Sequence, residues 1–385
     1  MIIKNGTVYT MDGRVFDRGF VRAEGKRVLA CGCMNELPAF EGEETIDAAG
    51  GFILPGLIDC HSHMGVFENA IGFEGDDGNE DTDPCMPQLR AIDAVNPLDK
   101  CFDEALSAGI TTVLTGPGSA NPIGGQFAAI KTFGRRIDDM IIRAPISMKF
   151  ALGENPKTVY HGKGETPVTR MATAAIMRDN LFKAREYMDK KAEAAADREK
   201  DRPDFDLKLE SLIPLLKGDI SAHFHAHRAD DIFTAIRIAK EFNLRYAIIH
   251  GTEGHLIGDI LAAEGAKVIT GPALIERSKP ELANLTFSAP GALAEAGVLT
   301  AICTDHPETP IQYLALCAAL AVKSGMREMD ALSAITINAA KIADIDGRTG
   351  SLTQGKDADI AVFTEHPLSI SAKVLAVVAE GKRVK

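Results

Sequence analysis

Two hydrophobic grammars alternate along the chain. Over residues 1–52, short strand-like segments are punctuated by hairpin chemistry: Thr7-Val8-Tyr9-Thr10 runs into Met11-Asp12-Gly13, and Phe20-Val21-Arg22-Ala23 into Glu24-Gly25-Lys26. Glycine adopts positive φ without steric cost, which such turns need. Residues 350–385 repeat the pattern, with strands at Ala358–Phe363 and Val374–Ala379 before Glu380-Gly381-Lys382. Two β-rich ends around a different middle predict one small β domain assembled from both termini. In the middle, short apolar strands alternate with helix-like stretches, as in parallel βα units. The strands fall at Ile53–His61, Ile110–Leu114, Ile146–Ala151, Ile220–His225, Arg245–His250, Ala266–Thr270 and Leu299–Thr304. Asp230–Glu241 and Gly258–Ala263 are among the helices, and residues 167–202 form a long charged, Ala-rich helical stretch with a solvated face. A middle spanning residues 53–349 is of barrel size, since a (β/α)8 barrel takes about 250 residues. No Gly-x-Gly-x-x-Gly follows a strand, which disfavours a dinucleotide fold.

Composition narrows the class. A hydrophobic content of 45% with 25% charged residues fits a globular protein, and the net charge of −12 argues against nucleic-acid or anionic-membrane partners. No apolar run approaches the roughly 20 residues that span a bilayer, and the N-terminus shows no secretory signal. The seven cysteines are scattered and odd in number, unlike a disulfide framework. Cys31-Gly32-Cys33 has no second pair nearby, so a zinc knuckle is not predicted. These features predict a cytoplasmic protein with reduced thiols and a small-molecule substrate, and leave homo-oligomerisation open.

The ten histidines carry the chemistry. His61 and His63 close the first middle strand, in Asp59-Cys60-His61-Ser62-His63. Strand side chains two residues apart share a face, so both imidazoles can reach one ion. His223, His225 and His227 repeat that spacing; His250 ends an apolar strand; Asp305 follows another, before His306-Pro307. Each stands at or near a strand's C-terminal end, where parallel barrels build their active sites. Imidazoles with a carboxylate suit Zn2+, and Mn2+, Co2+ or Fe2+ accept the same set. The glycine-rich stretch Gly116–Gln126 follows a strand on that face. Without a Walker lysine-serine ending it is expected to be a substrate loop. The acidic loop 75–83 is expected to be solvated, because its spacing does not suit calcium.

The order of these elements resembles the amidohydrolase superfamily of metal-dependent hydrolases, in its imidazolonepropionase and prolidase-like branch. The resemblance runs from Pro55-Gly56-Leu57-Ile58-Asp59-Cys60-His61-Ser62-His63 through Thr304-Asp305-His306. It ends in Asn338-Ala339-Ala340-Lys341, Gly350-Ser351-Leu352 and Gly355-Lys356-Asp357-Ala358-Asp359. It implies a (β/α)8 TIM-type barrel over 53–349 and a small β-sandwich domain from 1–52 and 350–385. It also implies metal-ligand roles for His61, His63, His225, His250 and Asp305, with one or two ions. His225 is chosen because His225-Ala226-His227 matches the family's His-x-His before a loop. His223 is then a packed residue one pleat deeper, and Asp59 a support beneath the pair. In binuclear relatives a lysine carboxylated by CO2 bridges the ions. Lys149 is the position for it here, since burial in an apolar strand favours the neutral amine that CO2 attacks. Glu154 is the alternative ligand.

The reaction expected is hydrolysis of a C–N bond in an amide, dipeptide or cyclic amide, with Asp305 as proton shuttle and His250 or His227 stabilising the oxyanion. His227, Arg228, Asn155, Tyr160 and Arg170 are candidates for orienting substrate. Deamination of an aminated ring is the alternative, disfavoured because Arg228 stands where deaminating relatives carry a glutamate. A non-catalytic scaffold would be expected to have lost ligands.

Overall fold

The computed structural model describes residues 1–39, 42–68 and 71–385. Its central sheet has eight strands whose spatial order follows the sequence. They are Leu57–Ser62, Ile110–Thr115, Ile123–Lys131, Ile141–Ala151, Ser221–Ala226, Tyr246–His250, Lys267–Thr270 and Leu299–Ile302, referred to below as barrel strands one to eight. Just beyond the strand ends the sheet is drawn nearly closed. The His63 N–H donates to the His306 carbonyl (2.8 Å) and the Asp305 N–H to the His61 carbonyl (3.2 Å).

Strand three corrects the expected barrel. It runs antiparallel to strands two and four, whereas the other neighbouring pairs are parallel. The connection before it, from Gly116 to Pro122, is shorter than the dozen or so residues a parallel crossover needs, so the chain turns back as a hairpin. The expected run Ile53–His61 is also divided. Phe52–Pro55 pairs with Ile360–Phe363 in the other sheet, and Leu57 opens the barrel. Gly56 sits at the division because a Cβ there would lie 2.1 Å from the Thr111 hydroxyl.

Strands from both termini, together with Phe52–Pro55, join in one eight-stranded sheet. The hydrogen bonding thus links in a single sheet the strands expected to form a sandwich. It surrounds an apolar cluster that includes Ile3, Val21, Ile53, Ile360 and Val378. Lys131, buried at the end of barrel strand three, binds Asp357 (2.9 Å) and Asp359. Arg348 adds a bond to Asp357 (2.8 Å), so the Asp-Ala-Asp near the C-terminus ties the terminal sheet to the barrel.

The long helix spans Arg170–Ala196 and is capped by the Thr169 hydroxyl, which accepts from the Ala172 N–H. Its buried residues Thr173, Ala174, Met177, Leu181 and Ala184 recur every three or four positions, one stripe facing the core, and the remainder of the helix carries its charge outward. All seven cysteines are free. Among the described residues no helix is long and apolar enough to cross a membrane.

Candidate metal centre

Strands one, four, five, six and eight deliver their last residues to a single mouth. His61 comes from strand one with His63 just past it, Lys149 from strand four, His225 from strand five with His227 just past it, His250 from the end of strand six, and Asp305 follows strand eight. His250 (φ 71°) and Asp305 (φ 53°) both hold left-handed backbone. That conformation costs a non-glycine residue about 1–3 kcal/mol and collects at functional sites.

Two clusters of metal-type donors result, His61–His63–Asp305 and His225–His227–His250, each with its ligand atoms within 4.8 Å of one another. Asp305 Oδ1 lies 3.1 Å from His63 Nε2 and 3.4 Å from His61 Nε2. The clusters adjoin, with the His61 and His250 rings 5.7 Å apart. Backbone acceptors fix two of the rings: His63 Nδ1 lies 2.8 Å from the Gly116 carbonyl and His250 Nδ1 2.6 Å from that of Gly271. A ring donating Nδ1–H to a carbonyl keeps its Nε2 lone pair free.

Burial sets the charge states. It drives His61, His225 and His250 well below the usual histidine range, and His227 to about 4, so these rings are neutral. Burial alone would raise the Asp305 carboxyl. The imidazoles of His250 and His63 beside it hold it below its ordinary value. Neutral imidazoles and an ionised carboxylate therefore converge, and buried atoms such as Asp305 Oδ1 and His225 Nδ1 lack a hydrogen-bond partner. Such a donor set fits a divalent transition ion.

Lys149 is fully buried, its Nζ 3.0 Å from His61 Nε2 and facing the Phe127 ring at 5.6 Å. Burial brings its ammonium down to about 8. Asp59 lies beneath the pair. One carboxylate oxygen accepts from the His61 N–H (3.2 Å), and the other from the N–H and hydroxyl of Thr304 (3.0 and 2.5 Å). It thereby holds the first strand end to the segment carrying Asp305. His223 is packed deeper, as expected, buried near Phe127.

Both clusters open on a cavity of about 550 Å³ lined by His63, His225, His227, His250 and Asp305, with Glu154, Asn155, Lys279 and Gly118–Ala120 among its other walls. Three expected substrate contacts do not line it. Tyr160 is fully buried, its hydroxyl accepting from Asn121 (3.3 Å). Arg170 is paired with Asp231 (2.9 Å), and Arg228 turns outward to Asp230 (2.9 Å). Asn155 is well placed: its amide nitrogen donates to Ser119 Oγ (3.1 Å) and reaches His225 Nε2 (3.4 Å), and its oxygen accepts from Lys279 (2.8 Å). Glu154 stands on the wall at the start of the helix Glu154–Lys163 and belongs to neither donor cluster.

The Amidohydrolase family model matches residues 52–384. The chain belongs to the amidohydrolase family. As an amidohydrolase it is a hydrolase of carbon–nitrogen bonds. An amidohydrolase from Thermotoga maritima MSB8 superposes with a TM-score of 0.96 at 41% identity, over 100% of this chain and 99% of that one. The amidohydrolase tasK of Hapsidospora irregularis is 29% identical over 90% of this chain, which spans only 38% of that protein's length. An imidazolonepropionase from Acidiphilium cryptum is 26% identical over 91% of this chain and 88% of its own.

Three residues near the amidohydrolase centre escaped the sequence. Phe127 stacks on His61 (ring centroids 5.1 Å, 17°) and belongs to the unforeseen third strand. Lys279 and Glu281 come from the loop after strand seven. Glu281 is almost wholly buried, its Oε1 3.7 Å from His227 Nε2 and 3.9 Å from His225 Nε2. Lys279-Pro280-Glu281 has no spacing that marks a site; only burial singles the glutamate out.

Proposed function

We propose that this amidohydrolase is a metal-dependent enzyme that hydrolyses the C–N bond of an amide, dipeptide or cyclic amide. The observation that carries the reading is the convergence of His61, His63, His225, His250 and Asp305 in two adjoining donor clusters that open on one cavity. These five side chains would hold Zn2+, or Mn2+, Co2+ or Fe2+. When bound, such an ion lowers the pKa of a water towards ~7 and polarises a carbonyl.

The chain's own residues supply the remainder. Asp305, ionised and with Oδ1 free of other donors, takes the proton from the attacking water and passes it to the leaving nitrogen. Lys149 is the position for carboxylation: its amine adds to CO2, the N–C bond forms and a proton leaves, turning a cation into an anionic donor beside His61. Asn155 and Ser119 present hydrogen-bonding groups to the substrate, and Lys279 puts a partly exposed ammonium on the same wall.

An amide is favoured over an aminated ring because no carboxylate follows His225 at the position a deaminase would use. Arg228 there is paired with Asp230, and Glu253, three residues after His250, is bound to Ala229 and Asn284 outside the cavity wall.

The test is a screen of metal-loaded protein against dipeptides, N-acyl amino acids, cyclic amides and aminated heterocycles. Turnover confined to the last group would overturn the reading. Asp305→Asn should keep at least one bound ion and lose about 10²–10⁴-fold in kcat, the range of a general acid–base. Near-normal turnover would remove Asp305 from the proton path.

A further inference from the structure

Among the described residues that line the cavity, Lys279 is the one lysine or arginine. An ammonium has three N–H donors. One of them goes to Asn155 Oδ1 (2.8 Å). Glu281 Oε1, at 3.6 Å, attracts the charge but lies beyond hydrogen-bond reach. The lysine side chain is one-third exposed, so donors remain for a ligand in the cavity. At the other end of the same amide, Asn155 Nδ2 donates to Ser119 Oγ (3.1 Å). That oxygen accepts, which leaves the serine's own hydrogen to donate into the cavity it lines. Asn155 thus holds an ammonium and a hydroxyl, one at each end of its amide. Its Nδ2 also reaches His225 Nε2 (3.4 Å), so a single side chain separates these two donors from the histidine clusters. A group bound by them lies close to the bond being cut. The buried Glu281 fixes the arrangement: its Oε2 accepts from the Glu154 N–H (3.0 Å), clasping the loop of Lys279 to the start of the helix that carries Asn155. Val159, Ile275 and Leu282 add apolar surface to the same cavity.

We propose that Lys279 and Ser119, spaced by Asn155, bind a carboxylate that the substrate carries next to its scissile nitrogen. The substrate class is then N-acyl amino acids and dipeptides whose free α-carboxylate belongs to an apolar residue. The proposal rests on the amide-hydrolysis reading above and selects within it, setting aside amides that carry no acid. A single ammonium suits a monoanion. Glu154 and Glu308, on the wall of the same cavity, would repel the second charge of a phosphate.

The test compares acid with carboxamide. N-acetyl and glycyl derivatives of leucine, valine and phenylalanine, each as free acid and as carboxamide, are given to the metal-loaded full-length protein, and release of acetate or glycine is followed. Wild type should favour the acids about tenfold or more in kcat/KM, chiefly through KM, the scale of a hydrogen bond to a charged group. Lys279→Met should erase most of that preference and Lys279→Arg should restore it, whereas a merely structural role would move acid and carboxamide together. Ser119→Ala should lower the preference by a smaller factor. Should Lys279→Met not fold, Lys279→Gln carries the measurement. Three results would overturn the subsite and leave amide hydrolysis standing: carboxamides turned over as readily as acids by wild type, a preference that survives in the folded Lys279 variants, or turnover confined to amides without a carboxylate. A protein that hydrolyses no amide would overturn both.

Discussion

Lys149 keeps an amine where water cannot reach it. Burial brings its ammonium down to about 8, partly opposed by the negative charge of Asp305. For an amine titrating there, the neutral fraction rises from about a tenth at pH 7 to about nine-tenths at pH 9. Only the neutral form adds to CO2. At fixed dissolved ¹³CO2, the carbamate signal of the metal-free protein should grow several-fold between those pH values and vanish in Lys149→Ala. A signal that survives the substitution, or does not respond to pH, would rule out carboxylation at this lysine. At the same scale the sequence was legible where spacing carried the information. His61, His63, His225, His250 and Asp305 each announce themselves as a strand-terminal donor. Glu281 does not, because nothing in Lys279-Pro280-Glu281-Leu282 distinguishes a buried carboxylate from a solvated one. Tyr160, Arg170 and Arg228 show the converse, polar residues near the right strands whose partners lie elsewhere.

At the scale of elements, Gly56 is the hinge between the two sheets. An alanine methyl there would drive into Thr111, so Gly56→Ala should cost at least about 1–3 kcal/mol, the range for overpacking a core. A fall in urea midpoint measures it, and an unchanged midpoint would show that the first and second strands can part to admit the methyl. Seven of the barrel strands could be read because each falls on a short apolar run of the sequence. The third, Ile123–Lys131, begins Ile123-Gly124-Gly125-Gln126, which has the composition of a loop. Its strand character comes from its place between strands two and four, a tertiary effect that no local pattern records. The division at Pro55-Gly56 was hidden for the opposite reason: both halves are strands, belonging to different sheets.

For the molecule as a whole, the buried histidines make metal-free stability depend on pH. His227 and His306 are lowered by burial to about 4 and His223 to about 3. Each is neutral in the fold and takes up a proton near 6.5 once unfolded. Their contribution is complete above pH 6.5 and is lost as pH falls through the folded values. Asp59, raised by burial to about 7, has the opposite sign: its contribution is complete below about 3.8 and is lost as pH rises through 7. It offsets part of the loss on acidification. The histidines outnumber it, so the metal-free protein should lose several kcal/mol between pH 7.5 and pH 5, seen as a lower urea midpoint. A flat profile would show that these rings reach water in the native state.

The bond from Asp59 to Thr304 crosses 245 positions of chain. Contacts so remote in sequence form late, because closing long loops costs entropy before any packing returns it. The same clasp brings Asp305 to His61 and His63. A nascent or truncated chain lacking its eighth strand would lack the carboxylate proposed to move the proton. Catalytic competence is therefore the last property this polypeptide acquires as it folds and the first it surrenders when its ends part.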